Sequence, residues 1–181
     1  MELILNQKVI DNIGIGLTKY NYIMTAIQNT DVSSDIEFQK RYNGFYRMRQ
    51  RPVEYYSIYF NFMEKHKNRH VSFEETLRYL HTSLGRIEAS FSSKLVATIN
   101  PNKPVWDEFV LQNLGIKKPT SYSKNRIEKT IEIYKGIEDF YANFLKSNEC
   151  KDLLVEFDSH FPNTNLTHTK KVDLLLWQTR D

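Results

Sequence analysis

Lys94 and Asp107 are the pair of residues whose types and placement could do chemistry. A lysine amine is a nucleophile only without its extra proton, so its pKa of about 10.4 must fall; partial burial and the positive end of a helix both lower it. A carboxylate beside it stabilises positive charge building on the attacked carbon and orients the amine, while pulling the lysine pKa back up. Net activation therefore depends on burial. Both residue types also have structural uses, aspartate as a helix cap and lysine as a solvated surface charge.

The elements that must position the pair lie between Ser90 and Gly115, SFSSKLVATINPNKPVWDEFVLQNLG. Ser90, Ser92 and Ser93 are hydroxyl residues able to cap a helix that opens at about Lys94. That helix takes in Leu95, Val96, Ala97 and Ile99 and stops near Asn100, because Pro101 disfavours helical backbone in the residue before it. Asn100 to Trp106 carries Pro101 and Pro104 and is expected to be extended. At roughly 3.3 Å per extended residue against roughly 1.5 Å per helical residue, this return outreaches the short helix. Asp107 is then the N-cap of a second helix, Glu108 to Leu114, ended by Gly115. Lys94 and Asp107 are thus expected to face each other across one cleft, each at a helix N-terminus.

The extended return, the aspartate of Val105-Trp106-Asp107 opening a helix with Val110, and the close in Leu114-Gly115-Ile116 together resemble the catalytic segment of the helix-hairpin-helix DNA glycosylases, the 8-oxoguanine glycosylase branch in particular. Gly85-Arg86-Ile87-Glu88-Ala89 stands where that family has a Leu-Pro-Gly-Val-Gly type turn, and the lysine-to-aspartate spacing is shorter than the family's. The resemblance implies that Lys94 and Asp107 are catalytic, in a glycosylase or a glycosylase with strand-nicking lyase activity. Such an enzyme acts on a modified base turned out of the stack, at a cost of a few kcal/mol. Phe91, Trp106 and Tyr46 are the rings expected to line the base pocket, and Phe91 and Trp106 serve equally as core anchors.

DNA contacts are expected from Lys40 to Arg51, KRYNGFYRMRQR, the most basic stretch of the chain, with Lys40, Arg41, Arg47, Arg49 and Arg51 as phosphate ligands. Extended backbone before Pro52 would put Arg47, Arg49 and Arg51 on one side, and the interleaved rings could stack on bases. A solvated basic face with core aromatics is the alternative. The net charge of +3 is small, so a nucleic-acid reading rests on this clustering.

The remaining stretches read as scaffold for a single all-α domain, a bundle of about eight helices. Its 181 residues, 40% of them hydrophobic, suffice for one core. Met1 to Ile15 is an uncertain first helix, and Gly14-Ile15-Gly16 reads as a turn. Ser34 with Glu37 and Ser72 with Glu75 are capping boxes, and Gly85 stops the second of these helices. Pro52 to Lys67 is a mostly buried central helix whose end carries His66 and His70 into solvent. After a polar linker from Lys117 to Ser121, Ser123 begins the longest helix, Glu149 to Phe161 forms another, and Lys170 to Gln178 closes the fold, docking Val172, Leu175, Leu176 and Trp177, with Asp173 expected to be exposed and an approach to a pocket as its alternative. The single cysteine, Cys150, excludes an internal disulfide, a four-cysteine cluster and a cysteine-rich zinc site, and no cofactor is expected. No apolar run has the length of a membrane span and no leader is evident, so a cytoplasmic protein without a membrane partner is expected. Two other functions fit the same residues: a nucleic-acid-binding protein without turnover, acting in phage defence or its evasion, and a module whose aromatic surface binds a protein partner.

Overall fold

A computed structural model describes residues 5–120 and 122–178. Residues 1–4 of the expected first helix and Ser121 of the expected linker lie outside that range. The described residues form nine helices and no strand, in keeping with the expected all-α bundle of about eight: α1 (Gln7–Asn29), α2 (Ile36–Phe45), α3 (Val53–His66), α4 (Phe73–Leu84), α5 (Ala89–Ile99), α6 (Glu108–Asn113), α7 (Arg126–Phe144), α8 (Asn148–His160) and α9 (His168–Gln178). None of them is long and apolar enough to cross a membrane.

Helix α1 is capped by Asn6, whose side chain accepts a hydrogen bond from the Val9 amide. It then runs straight through Gly14 and Gly16, where the sequence suggested a turn. Each helical glycine costs about 1 kcal/mol relative to alanine, which the buried stripe Val9, Ile13, Leu17, Tyr20, Ile23 and Ile27 outweighs. The first three of these side chains join one apolar cluster, built with α6, α7, α8 and most of α9. Tyr20, Ile23 and Ile27 join a second, built with α2, α3 and α5. Helix α4 likewise divides, giving Phe73 and Leu77 to the first cluster and Leu80 to the second.

The helix ends show where local chemistry decides. Ser72 accepts from the Glu75 amide as the expected cap of α4, and Gly85 closes that helix in the left-handed region at φ 65°. Ser72→Ala is therefore expected to cost about 1 kcal/mol, read as a lower urea midpoint at unchanged m-value. Helix α2 is capped not by Ser34 but by Asp35, whose carboxylate accepts from both the Phe38 amide and the Thr30 hydroxyl. Asn125, not Ser123, precedes α7. His66 is not solvated: it is 3% exposed, its ring lies 4.0 Å from that of Phe62, and it accepts a hydrogen bond from Arg69.

Helix α5 departs most from expectation. It begins at Ala89 without a side-chain cap, so Lys94 is in mid-helix rather than at a helix start. Ser93 has a different use: its hydroxyl donates to the Ser90 carbonyl and accepts from the Trp106 amide, fastening the return segment to α5. Tyr134 donates to the Pro104 carbonyl and Thr167 to the Pro101 carbonyl, holding the same segment from the other side.

Candidate active site

The fastened return delivers Asp107 to the N-cap of α6, where one carboxylate oxygen accepts from the Phe109 amide. Its other oxygen accepts from the Lys94 Nζ at 3.2 Å, and Lys94 also donates to the Tyr46 carbonyl at 3.3 Å. The two side chains are 6% and 14% exposed. The expected convergence of amine and carboxylate is present, although only Asp107 stands at a helix N-terminus. Burial pushes the Lys94 amine below its ordinary value; Asp107 opposes that drop without cancelling it, and the Arg47 charge adds to it. A helix dipole at Lys94, expected from the sequence, has no part in this.

A second lysine–aspartate pair stands at the same place. Lys170 and Asp173 of α9 are 3.0 Å apart and 3% and 5% exposed. Asp173 is buried, against the expectation of exposure, because one carboxylate oxygen accepts from the Val105 amide and the Tyr141 hydroxyl while the other accepts from Lys170. Burial by itself lowers the Lys170 amine, but Asp173, Tyr46 and Tyr20 outweigh it and hold the amine above the ordinary lysine range. The two lysines are thereby sorted: Lys170 is locked as an ammonium, and Lys94 is the one inclined to lose its proton. Lys170 was missed in sequence, Trp177 was read only as a docking side chain of the closing helix, and Asp173 was expected to be exposed rather than to take its alternative place at a pocket, although KKVDLLLW sets its charges inside an apolar run with no polar face to hold them.

Both pairs line one cavity at the seam between the two apolar clusters, walled by Phe45, Tyr46, Val110 and Trp177. Its volume is about 10 Å³, room for roughly one water molecule. The hollow for an everted base expected from the sequence is therefore not open. Of the expected pocket rings only Tyr46 lines the cavity; its hydroxyl pairs with Thr98. Phe91 lies under Lys94, with Nζ 5.2 Å from the ring centre, and is otherwise core. Trp106 is 4% exposed and parallel to Phe73, so it too is core.

The basic stretch is not one extended ribbon. Helix α2 ends at Phe45, and Arg47 adopts φ 53° in the left-handed region, a cost on the order of 1 kcal/mol for a residue other than glycine. That conformation sets the Arg47 guanidinium 5.7 Å from the Trp177 ring centre. Arg41 is engaged with Glu37 and the Tyr22 ring. Arg51 lies over Tyr55 and Phe91, with a buried Nε that has no hydrogen-bond partner among the described residues. Lys40, Arg47 and Arg49 are exposed and form no ion pair among the described residues.

No family model, curated protein or solved structure matches this chain. The chemistry of the site rests on its own geometry. Among the described residues no group of three or more His, Cys, Asp and Glu side chains is placed to hold a metal ion.

Proposed function

We propose that this protein is a DNA glycosylase-like enzyme with lyase character, in which the neutral amine of Lys94 attacks the C1′ carbon of a deoxyribose. The observation that carries the reading is the Lys94–Asp107 pair, 3.2 Å apart and nearly dry, with an amine whose burial favours the uncharged form. On a base-bearing nucleotide, the bond from Nζ to C1′ forms as the glycosidic bond breaks and the base leaves with the electron pair. On an abasic site the amine adds to the ring-opened aldehyde, and the resulting carbinolamine loses water to give an imine. In both cases the proton released from nitrogen has Asp107 as its nearest acceptor, and the carboxylate offsets positive charge developing on the sugar. Because the cavity holds no more than a water, a substrate reaches Lys94 only when part of its wall, which includes Phe45 and Trp177, moves aside.

The closed cavity favours a second reading, a nucleic-acid-binding protein of the same fold with a purely structural ion pair. Borohydride trapping on DNA carrying an abasic site separates the two. Its rate is expected to rise with pH through a midpoint below the ordinary lysine range. Asp107→Asn keeps a good N-cap but removes the charge that holds the Lys94 pKa up, so the midpoint is expected to move to lower pH while the plateau rate falls. A plateau and midpoint identical to those of the unmodified protein would assign Asp107 to capping alone.

A further inference from the structure

Next to the Lys94 cavity, and sharing Phe45 and Trp177 with it as a partition, lies a polar groove of about 210 Å³. Asn12, Gly16 and Lys19 of α1 form one bank; Gly44 and Arg47, at the end of α2, form the other, with Trp177 at the inner end. Among the described residues no acidic side chain lines it, and neither Lys19 nor Arg47 has an ion-pair partner. Gly16 and Gly44 both lie within helices, yet a Cβ added at either would meet nothing within 4 Å. Packing within the chain therefore does not require glycine at these positions, and each leaves bare backbone on the groove wall, where another backbone can approach closely. Arg47, in a left-handed backbone conformation, has its guanidinium over the Trp177 ring, which places a cation at the partition itself.

We propose that this groove is a phosphodiester subsite: it takes the sugar-phosphate backbone beside the reacting nucleotide, with Lys19 and Arg47 on the phosphates and Trp177 against the sugar or base that passes toward Lys94. Two cations without an ion-pair partner and no carboxylate among the described residues, with a flat ring between groove and amine, fit a strand of DNA. A lone small anion needs neither the length of the groove nor the ring. The placement deepens the glycosylase-like reading and rests on it for the role of Lys94, but the subsite has its own measurement.

Fluorescence anisotropy on a labelled DNA duplex with a tetrahydrofuran abasic analogue reads binding without turnover, because the analogue has no aldehyde. Lys19→Glu is expected to weaken binding at least tenfold and to reduce the slope of log K against log salt by about 1. Lys129→Glu makes the same charge change on an exposed residue of α7, outside the groove, and is expected to stay within twofold. Gly16→Leu with Gly44→Leu places apolar side chains in the groove from two positions where a Cβ meets nothing within 4 Å; helix propensity is expected to raise the melting temperature while affinity falls at least tenfold. Loss of binding with higher stability cannot come from misfolding. Affinity unchanged in Lys19→Glu and in the double leucine variant would overturn the subsite, as would the absence of DNA binding by the unmodified protein. Groove-dependent binding with no borohydride adduct on reactive abasic DNA would leave the subsite standing and remove the catalytic reading.

Discussion

Asp173→Asn is expected to destabilise the protein by about 3–5 kcal/mol, a large share of the roughly 5–15 kcal/mol that holds a domain together. The amide oxygen can still accept from the Val105 amide and the Tyr141 hydroxyl, which share one carboxylate oxygen. The amide nitrogen, however, replaces the oxygen that faces the Lys170 ammonium, leaving a buried charge opposed by a donor. Urea unfolding checks the loss. Adding Lys170→Met removes the stranded charge and is expected to recover stability relative to Asp173→Asn alone, so the two changes are strongly non-additive. The pH dependence has a definite sign. Lys170 has a raised folded pKa, so its contribution is present in full below the ordinary lysine value of about 10.4 and is lost as pH rises through the elevated one. Lys94, with a lowered pKa, acts the other way: its ammonium costs stability at low pH, and the cost is relieved between its depressed value and the ordinary one.

Lys94→Ala is expected to reduce borohydride trapping on abasic DNA on the order of 10³-fold or more, with anisotropy on the tetrahydrofuran duplex changed by less than about threefold. The alanine also leaves the Asp107 carboxylate without its cation and opens space beside Phe91. Lys94→Gln, which keeps a donor toward Asp107 and most of the side-chain volume, is therefore the companion variant, and the same loss of trapping is expected in it. Trapping retained in both variants would assign the chemistry to another amine, and retained binding excludes loss of the fold as the cause.

Much of the scaffold was legible because it depends on neighbours in sequence. The cap at Ser72, the left-handed Gly85 and the cap at Asp107 all follow from residue types within a few positions of one another; the return before Asp107 is extended only from Pro104 on, because Asn100 to Lys103 closes a turn with the Lys103 amide donating to the Asn100 carbonyl. The meeting of Lys94 with Asp107 was legible for the same reason, since two prolines and a short helix set the reach of the chain. The reading failed where partners come from far away. Helix α5 extends back to Ala89 because Phe91 packs against α3 and the Ser93 hydroxyl is taken by Trp106, neither of which is visible in a serine-rich run. Asp173 is buried through bonds to Val105 and Tyr141, far off in sequence, and so looked like a surface residue. Gly14 and Gly16 resembled a turn because their local cost is plain, whereas the apolar stripe that outweighs it spans the whole of α1.

The central claim is that the amine closing on the sugar belongs to Lys94. Reduction of a mixture of the unmodified protein and abasic DNA with borohydride, followed by proteolysis and mass spectrometry of the adduct, locates the new nitrogen–carbon bond directly. The bond is expected on the peptide that contains Lys94, and on that lysine. An adduct on Lys170 or on a surface lysine such as Lys19, or no adduct at all while the DNA is bound, would contradict it.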